Sequence, residues 1–568
     1  MGRLFDEHIK RYVASLDGTW KFRTDPEKIG EQEKWFNGIP GAINVTVPSV
    51  WAMYKDTPFY EGAAWYQKDF YTDGGCLRFC FGAVMTEADV WLDGVYLGNH
   101  YCGFTQFDFI VPEVAAGRHV LVVRVDNSFD QYSIPQNRVD WFHHGGITRS
   151  VTVETLKGVC ILNNRLEYEI DDALKNVTGK FVLELYNAGG KENTTVKAML
   201  DDVTVCELDV TVKAGDTVTV TTPEFTLENV RLWNILAPEL YNISLSTDTD
   251  DLMDRVGFRK LVVADAKVFI NGKEAQFRGV NRHEDHPEFG FAFPIGLMQR
   301  DIDLITDMGC NAIRGSHYPN AQEFIDLLDE NGVMFWSEIP IWGCGFSAET
   351  LADPIIIERG LNMHREAVKY YYNHPCITMW GLHNEILLNT KEGHAISKVY
   401  YDFLKANGGN RAIVYACNMP MEDICFEFCD IMCPNVYYGW YTNSLDDWAP
   451  FLEKFLQRRH DLGYDHKPII FSEFGGAALY GCHDNSDVWW SEEFQAKMLT
   501  HVLNTLYSTP GIIGSYVWEF CDSRTYYRLN INRARGYNNK GIMSEYRKPK
   551  LAYHAVGEIY RKLAENNK

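Results

Sequence analysis

The chain has 568 residues, a formal net charge of −23, and 46% hydrophobic against 23% charged residues. That length exceeds a single core and predicts about three or four domains. The acidic balance argues against nucleic acid or an anionic membrane as main partner, because both demand positive surface. No stretch approaches the roughly eighteen apolar residues of a membrane span. The opening residues lack the basic head, apolar core and cleavage site of a signal peptide, so a cytoplasmic chain is expected.

Aromatic residues reach 14%, enough to supply stacking platforms for sugars as well as core. The 14 cysteines are scattered, many inside apolar runs, and are read as reduced core thiols. Cys425, Cys429 and Cys433 have a spacing that zinc tolerates, but no fourth ligand pair follows, so no metal site is expected.

In chain order, residues 1–155 read as short strands divided by turns: "LDGTWKFRTD", "ADVWLDGVYLGNH", "HVLVVRVDN", "ITRSVTVE". Alternating apolar and polar positions with Asp-Gly turns at 17–18 and 93–94 predict an all-β sandwich. Residues 156–260 repeat that character ("GKFVLELYNAGG", "LYNISLST") at the length of an immunoglobulin-like sandwich. From 261 to 568 strand-like runs alternate with helical ones. "QFRGVNRHED", "NAIRGSHYP", "VMFWSEIP", "CITMWGLHNE", "AIVYACN", "DIMCPNVYYG", "KPIIFSEFGG" and "IIGSYVWEFCD" are eight strand candidates. Eight βα units predict a TIM (β/α)8 barrel, making the whole a multidomain α+β protein. An open doubly wound sheet is the rival, but no Gly-rich phosphate turn follows the first strand.

Active residues of such barrels sit at the C-terminal ends of the strands. Two carboxylates stand there: Glu385 closing "WGLHNE" and Glu473 in "IIFSEFGG". Either alone could pair with an Arg at the rim. Together, facing one cleft, they suit acid/base and nucleophilic roles in glycoside cleavage, where a separation of about 5 Å gives retention of configuration. A negative nucleophile also raises its partner's pKa and keeps the acid protonated.

"GVNRHED", "WGLHNE" and "FSEFGG", with "LWNILAPELYNISL" upstream, resemble motifs of the family 2 glycoside hydrolases, and the domain order matches along essentially the whole chain. The resemblance implies a jelly-roll sugar-binding domain, an immunoglobulin-like domain and a catalytic barrel. It implies Glu385 as acid/base, Glu473 as nucleophile, and Asn384 on the sugar 2-hydroxyl. "YNNKGI" resembles the Asn-x-Lys element of the family's β-glucuronidases, which makes Asn538 and Lys540 a grip for a C6 carboxylate. "RVDWFHHGGITRS" resembles the segment placing an Asp, here Asp140, against sugar hydroxyls. By the same resemblance Tyr437 and Tyr441 of "NVYYGWY", His317 of "RGSHYP" and Trp518 of "SYVWEFCD" line the substrate. Taken singly, each could equally be a buried aromatic, a satisfied core histidine or, for Asp140, a turn cap.

An Arg usually precedes the Asn-x-Lys element; Arg533 and Arg535 both compete, with Arg533 favoured. The segment "IWGCGFSAETLADPIIIERG" is shorter than the active-site loop of some bacterial glucuronidases, which implies an open mouth for bulky aglycones or glucuronate-terminated oligosaccharides. The mechanism needs no cofactor; some relatives with short loops carry a remote flavin mononucleotide, for which no motif is seen here. "NRHEDH" at 281–286 lacks the His-Glu-x-x-His spacing of a zinc helix. A homo-oligomer, dimer or tetramer, is implied. The expected substrates are β-D-glucuronides; β-galacturonidase, neutral-sugar β-galactosidase and a non-catalytic carbohydrate-binding scaffold are the alternatives.

Overall fold

The computed structural model describes residues 2–566 apart from 138 and 526–532. The first 156 residues form a β-sandwich. One sheet has four strands, Tyr12–Ser15, Val151–Leu156, Gly75–Phe81 and Phe107–Val114, in that spatial order. The other has six, with Ala63–Thr72 and Gly117–Asp126 paired antiparallel at its centre. Inward residues such as Trp20, Phe22, Tyr66, Phe79 and Val123 fill the space between them.

The two Asp-Gly pairs do different work. Asp93 and Gly94, both with positive φ (50° and 79°), join Glu87–Leu92 to Val95–Tyr101 in a two-residue hairpin, as the twist of paired strands favours. Asp17-Gly18 is not a hairpin. Tyr12–Ser15 pairs with Val151–Leu156, whereas Gly18–Asp25 pairs in the other sheet. The chain changes sheets there, and the Asp17 carboxylate accepts from Val151 N at 2.9 Å.

A second sandwich follows. Val159–Ile170 and Val177–Asn187 belong to one sheet; Asn193–Leu200, Val203–Thr211, Tyr241–Ser246 and Asp251–Val256 form the other. Burial alternates along Val177–Asn187 as a one-sided strand requires.

The eight barrel strands are Phe277–Arg282, Ala312–Gly315, Met334–Glu338, Ile377–Asn384, Ala412–Cys417, Cys433–Pro434, Ile469–Phe471 and Ile512–Val517. All pairings are parallel, and the first strand lies between the second and the eighth. Bridges Met432↔Ile469 and Asn435↔Glu473 close the sixth strand onto the seventh. Every residue of these strands is buried, which is why most of them read as apolar runs rather than alternating ones, with charges inside the first three. A meander, Leu261–Ala264, Lys267–Ile270 and Lys273–Glu274, packs Val268 and Ile270 against Met334, Trp336 and Val414. It stops one end of the barrel, so a ligand can approach only the other. No helix among the described residues is long and apolar enough to cross a membrane.

Candidate active site

The fourth strand breaks register between Gly381 and Asn384, and Glu385 takes a left-handed backbone (φ 52°) while its N–H still bonds Ala416 O at 2.9 Å. Such a conformation costs a non-glycine residue on the order of 1–3 kcal/mol and persists only where neighbours hold it. Gly343 is one such neighbour: a Cβ built on it would stand 1.5 Å from Glu385 O. The turn aims the Glu385 carboxyl toward Asn435, whose Nδ2 donates to Oε1 at 2.6 Å. The Asn435 amide is oriented by Ser472, whose hydroxyl donates to Oδ1 at 2.6 Å. Because Oε1 accepts, a proton on neutral Glu385 resides on Oε2.

Glu473 follows the seventh strand and bridges to Asn435 through the backbone, so Asn435 couples the two carboxyl groups. Both Glu473 oxygens accept: Oε1 from Arg314 Nη1 at 2.7 Å and Oε2 from Tyr437 OH at 2.8 Å. Arg314 was not singled out from sequence. It is wholly buried, forks onto Glu338 at 2.8 and 3.0 Å, and also donates to Asn281 Oδ1 and Asn384 Oδ1. Those contacts use its planar donor set in full.

Since Asn384 Oδ1 faces Arg314, its Nδ2 points elsewhere, buried and without a partner among the described residues. His317 Nδ1 lies 2.9 Å from Glu338 Oε1, and its ring stacks on Trp518 at 5.0 Å between centroids. Burial, and then the nearby Arg314 charge, push the imidazole down to about 3. It is therefore neutral, with its proton on Nδ1 facing the carboxylate. Burial, and then the Glu473 charge, push the Glu385 carboxyl up to about 8.

Across the cleft, the six basic residues from Arg533 to Lys550 divide. Lys540 is 1% exposed. Its Nζ donates to Tyr441 OH at 2.6 Å and Asn538 Oδ1 at 3.2 Å, and sits 4.7 Å from the Tyr441 ring centroid. Arg533 donates through Nε to Asp140 Oδ1 at 3.1 Å, pairs through Nη2 with Asp140 Oδ2, and reaches Tyr441 OH at 3.2 Å. Arg535 turns away onto Glu545 at 2.8 Å. Arg547 and Lys550 are buried against Asp301 and Asp522. Of these basic residues, Lys540 and Arg533 face the cleft, Arg535, Arg547 and Lys550 hold the fold, and Lys548 is exposed. Asp140 is not free either. It accepts from Arg533, from Thr525 Oγ1 at 2.9 Å and from Asn538 Nδ2 at 3.1 Å.

Residues 261–565 match the family model "Glycosyl hydrolases family 2, TIM barrel domain", and 13–157 match the family's "sugar binding domain". The chain belongs to glycosyl hydrolase family 2. It is accordingly a glycoside hydrolase. A β-glucuronidase of Paenibacillus borealis is 26% identical, with 98% of each chain covered. Among solved structures, a β-galacturonidase from Eisenbergiella tayi bound to galacturonate is 32% identical with a TM-score of 0.92, covering 99% of both chains. A Ruminococcus gnavus β-glucuronidase is 25% identical with a TM-score of 0.88, also covering 99% of both.

In this family 2 chain the metal-like "NRHEDH" is held internally: Arg282 pairs with Asp301 and Glu284 with Arg149, while Asp285 hydrogen-bonds the buried His144, whose pKa burial lowers. The cysteine trio is likewise internal, since Cys425, Cys429 and Cys433 donate to the carbonyls of Leu388, Phe426 and Ile431. Sequence reasoning missed Arg314, Glu338 and Asn435. The signal available for Arg314 and Glu338 was a charge inside a buried barrel strand; the uncharged Asn435 gave none.

Proposed function

We propose that this enzyme is a retaining β-D-uronidase that hydrolyses β-D-glucuronides by double displacement. The carrying observation is Lys540: a buried cation whose hydrogen-bond partners among the described residues, Tyr441 and Asn538, are both uncharged. Burying a cation without a counter-charge is costly, and an incoming C6 carboxylate supplies one.

With the uronate so held, the Glu473 carboxylate attacks C1 while Glu385 Oε2 gives its proton to the departing oxygen, leaving a glycosyl ester on Glu473. Asn384 Nδ2 is the donor available to the sugar 2-hydroxyl. Having given up its proton, and with the Glu473 charge masked in the ester, Glu385 stays ionised and serves as the base that accepts a proton from the water attacking C1, which frees Glu473. No cofactor enters these steps. The likeness to the Eisenbergiella galacturonidase favours a second reading, β-D-galacturonides, which keeps the carboxylate grip and inverts only the 4-hydroxyl.

The test is hydrolysis of matched aryl β-glucuronide, β-galacturonide and β-glucoside by wild type and Lys540→Ala. A uronide preference of orders of magnitude, erased by the substitution, is expected. Equal cleavage of glucuronide and glucoside by wild type overturns the reading. The galacturonide arm decides between the two uronic acids.

A further inference from the structure

A cavity of about 420 Å3 opens beside Glu385 and is walled by segments that follow the fifth and sixth barrel strands. Met419 and Met421 come from the first segment, Tyr438 and Tyr441 from the second, and Phe451 from the helix Trp448–Asp461. Among the described residues none that line it is Lys, Arg or His, and the acidic ones are Glu385, the protonated acid, and Glu422. Glu422 is exposed, with Asn389 Nδ2 donating to it at 3.2 Å. Among the described residues, the short segment after the third strand contributes none to this wall.

Resting on the uronidase reading, we infer that this cavity receives the leaving group and selects apolar, neutral or cationic aglycones over acidic ones. The acid must touch the departing oxygen, so the group attached to that oxygen lies on the open side of Glu385. Tyr441 is shared by the two halves: its hydroxyl accepts from Lys540, and it is also one of the residues lining the cavity. The sugar carboxylate and the aglycone thus both approach this residue. Unbranched, polarizable methionines and aromatic faces adapt to flat apolar groups of varied outline. Asn418, Thr442 and the tyrosine hydroxyls supply hydrogen-bonding groups beside them. A cavity of this size suits a small polycyclic ligand. Glu422 then repels a carboxylate or sulfate carried by the aglycone and attracts an amine, an exposed effect screened by salt.

The test uses a set of phenolic uronides on whichever sugar the enzyme cleaves fastest, sharing one polycyclic scaffold and matched leaving-group acidity. One is neutral, one bears a remote amine and one a remote carboxylate; wild type, Glu422→Gln and Glu422→Lys are compared at low salt. Wild type is expected to favour amine over carboxylate in kcat/KM by about three- to fivefold, the scale of one exposed charge pair. Glu422→Gln should bring that ratio to about one and Glu422→Lys should invert it, with the change fading in 0.5 M salt, roughly at a 4 Å screening length. A phenethyl uronide should also outrun a methyl uronide by about tenfold, as burial of a phenyl group predicts. An amine-to-carboxylate ratio that is unchanged in both variants overturns the inference. Failure of the uronidase reading shows separately, as preference for the glucoside, and leaves the aglycone set to be run on that sugar.

Discussion

Gly343 and Glu385 touch through their backbones: a Cβ on the glycine would lie 1.5 Å from the glutamate's carbonyl oxygen. The left-handed turn at Glu385 therefore depends on a residue with no side chain, 42 positions upstream, in the segment after the third strand. Gly343→Ala must push the turn outward. Displacement of an acid by about 1 Å costs on the order of a hundredfold in rate. The variant should lose about that much kcat while still folding, as circular dichroism and gel filtration would show; wild-type turnover would contradict it.

The elevated Glu385 carboxyl sets a pH dependence in activity. With a value of about 8, kcat/KM should fall along a basic limb centred near that pH, because the acid must be protonated. The Asn435 hydrogen bond favours the anion, so Asn435→Ala should move the limb to higher pH. A limb that stays put would remove Asn435 from this role.

Stability follows the same carboxyl with a definite sign. Between about pH 4.5 and 8 the folded protein keeps a proton on Glu385 that the unfolded chain releases, so stability declines as pH rises through that window. Glu385→Gln abolishes the term. Its Tm minus that of wild type should grow from pH 5 to pH 8; parallel curves would refute the assignment.

Arg314 ties Glu338 to Glu473 at the floor of the cleft. Arg314→Met leaves two buried carboxylates without their cation, which costs about 3–5 kcal/mol. Denaturant unfolding should register that loss, and the surviving enzyme should be at least about a hundredfold slower, as for one lost charge-stabilising donor. Full activity in the variant would relegate Arg314 to the fold.

Arg533 and Arg535 should separate cleanly. Arg533→Ala frees Asp140 and empties one side of the Lys540 cluster, and should raise KM for an aryl uronide. Arg535 has a half-exposed side chain that pairs with Glu545, so Arg535→Ala should leave KM alone and cost under about 1 kcal/mol. The reverse pattern would exchange the two assignments.

Much of this fold was legible because barrel strands are buried on both faces. The fourth and seventh strands run largely apolar until the cleft, where Glu385 and Glu473 interrupt them. The same rule hid Arg314 and Glu338, which lie within the strands, where a lone charge reads as an oddity of the core. The choice between Arg533 and Arg535 was not legible, since both are exposed-type residues in one short segment. It turns on the backbone: Arg535 sits at φ 61° and so presents its side chain away from the cleft. Nor could spacing show that Asp17-Gly18 changes sheets, because an Asp-Gly pair encodes a bend and not the strand that lies beyond it.

The ion pair between Asp140 and Arg533 makes the barrel a poor candidate for independent life. One partner belongs to the N-terminal sandwich, the other to the far end of the chain, 393 positions away. Arg524, within that distal segment, also bonds Phe142 N through its carbonyl. A chain clipped between the sandwiches and separated would yield a barrel with both glutamates and half a pocket. Inheritance of this activity is therefore all or nothing: the sandwich cannot be shed or traded as an accessory module without remaking the site it completes.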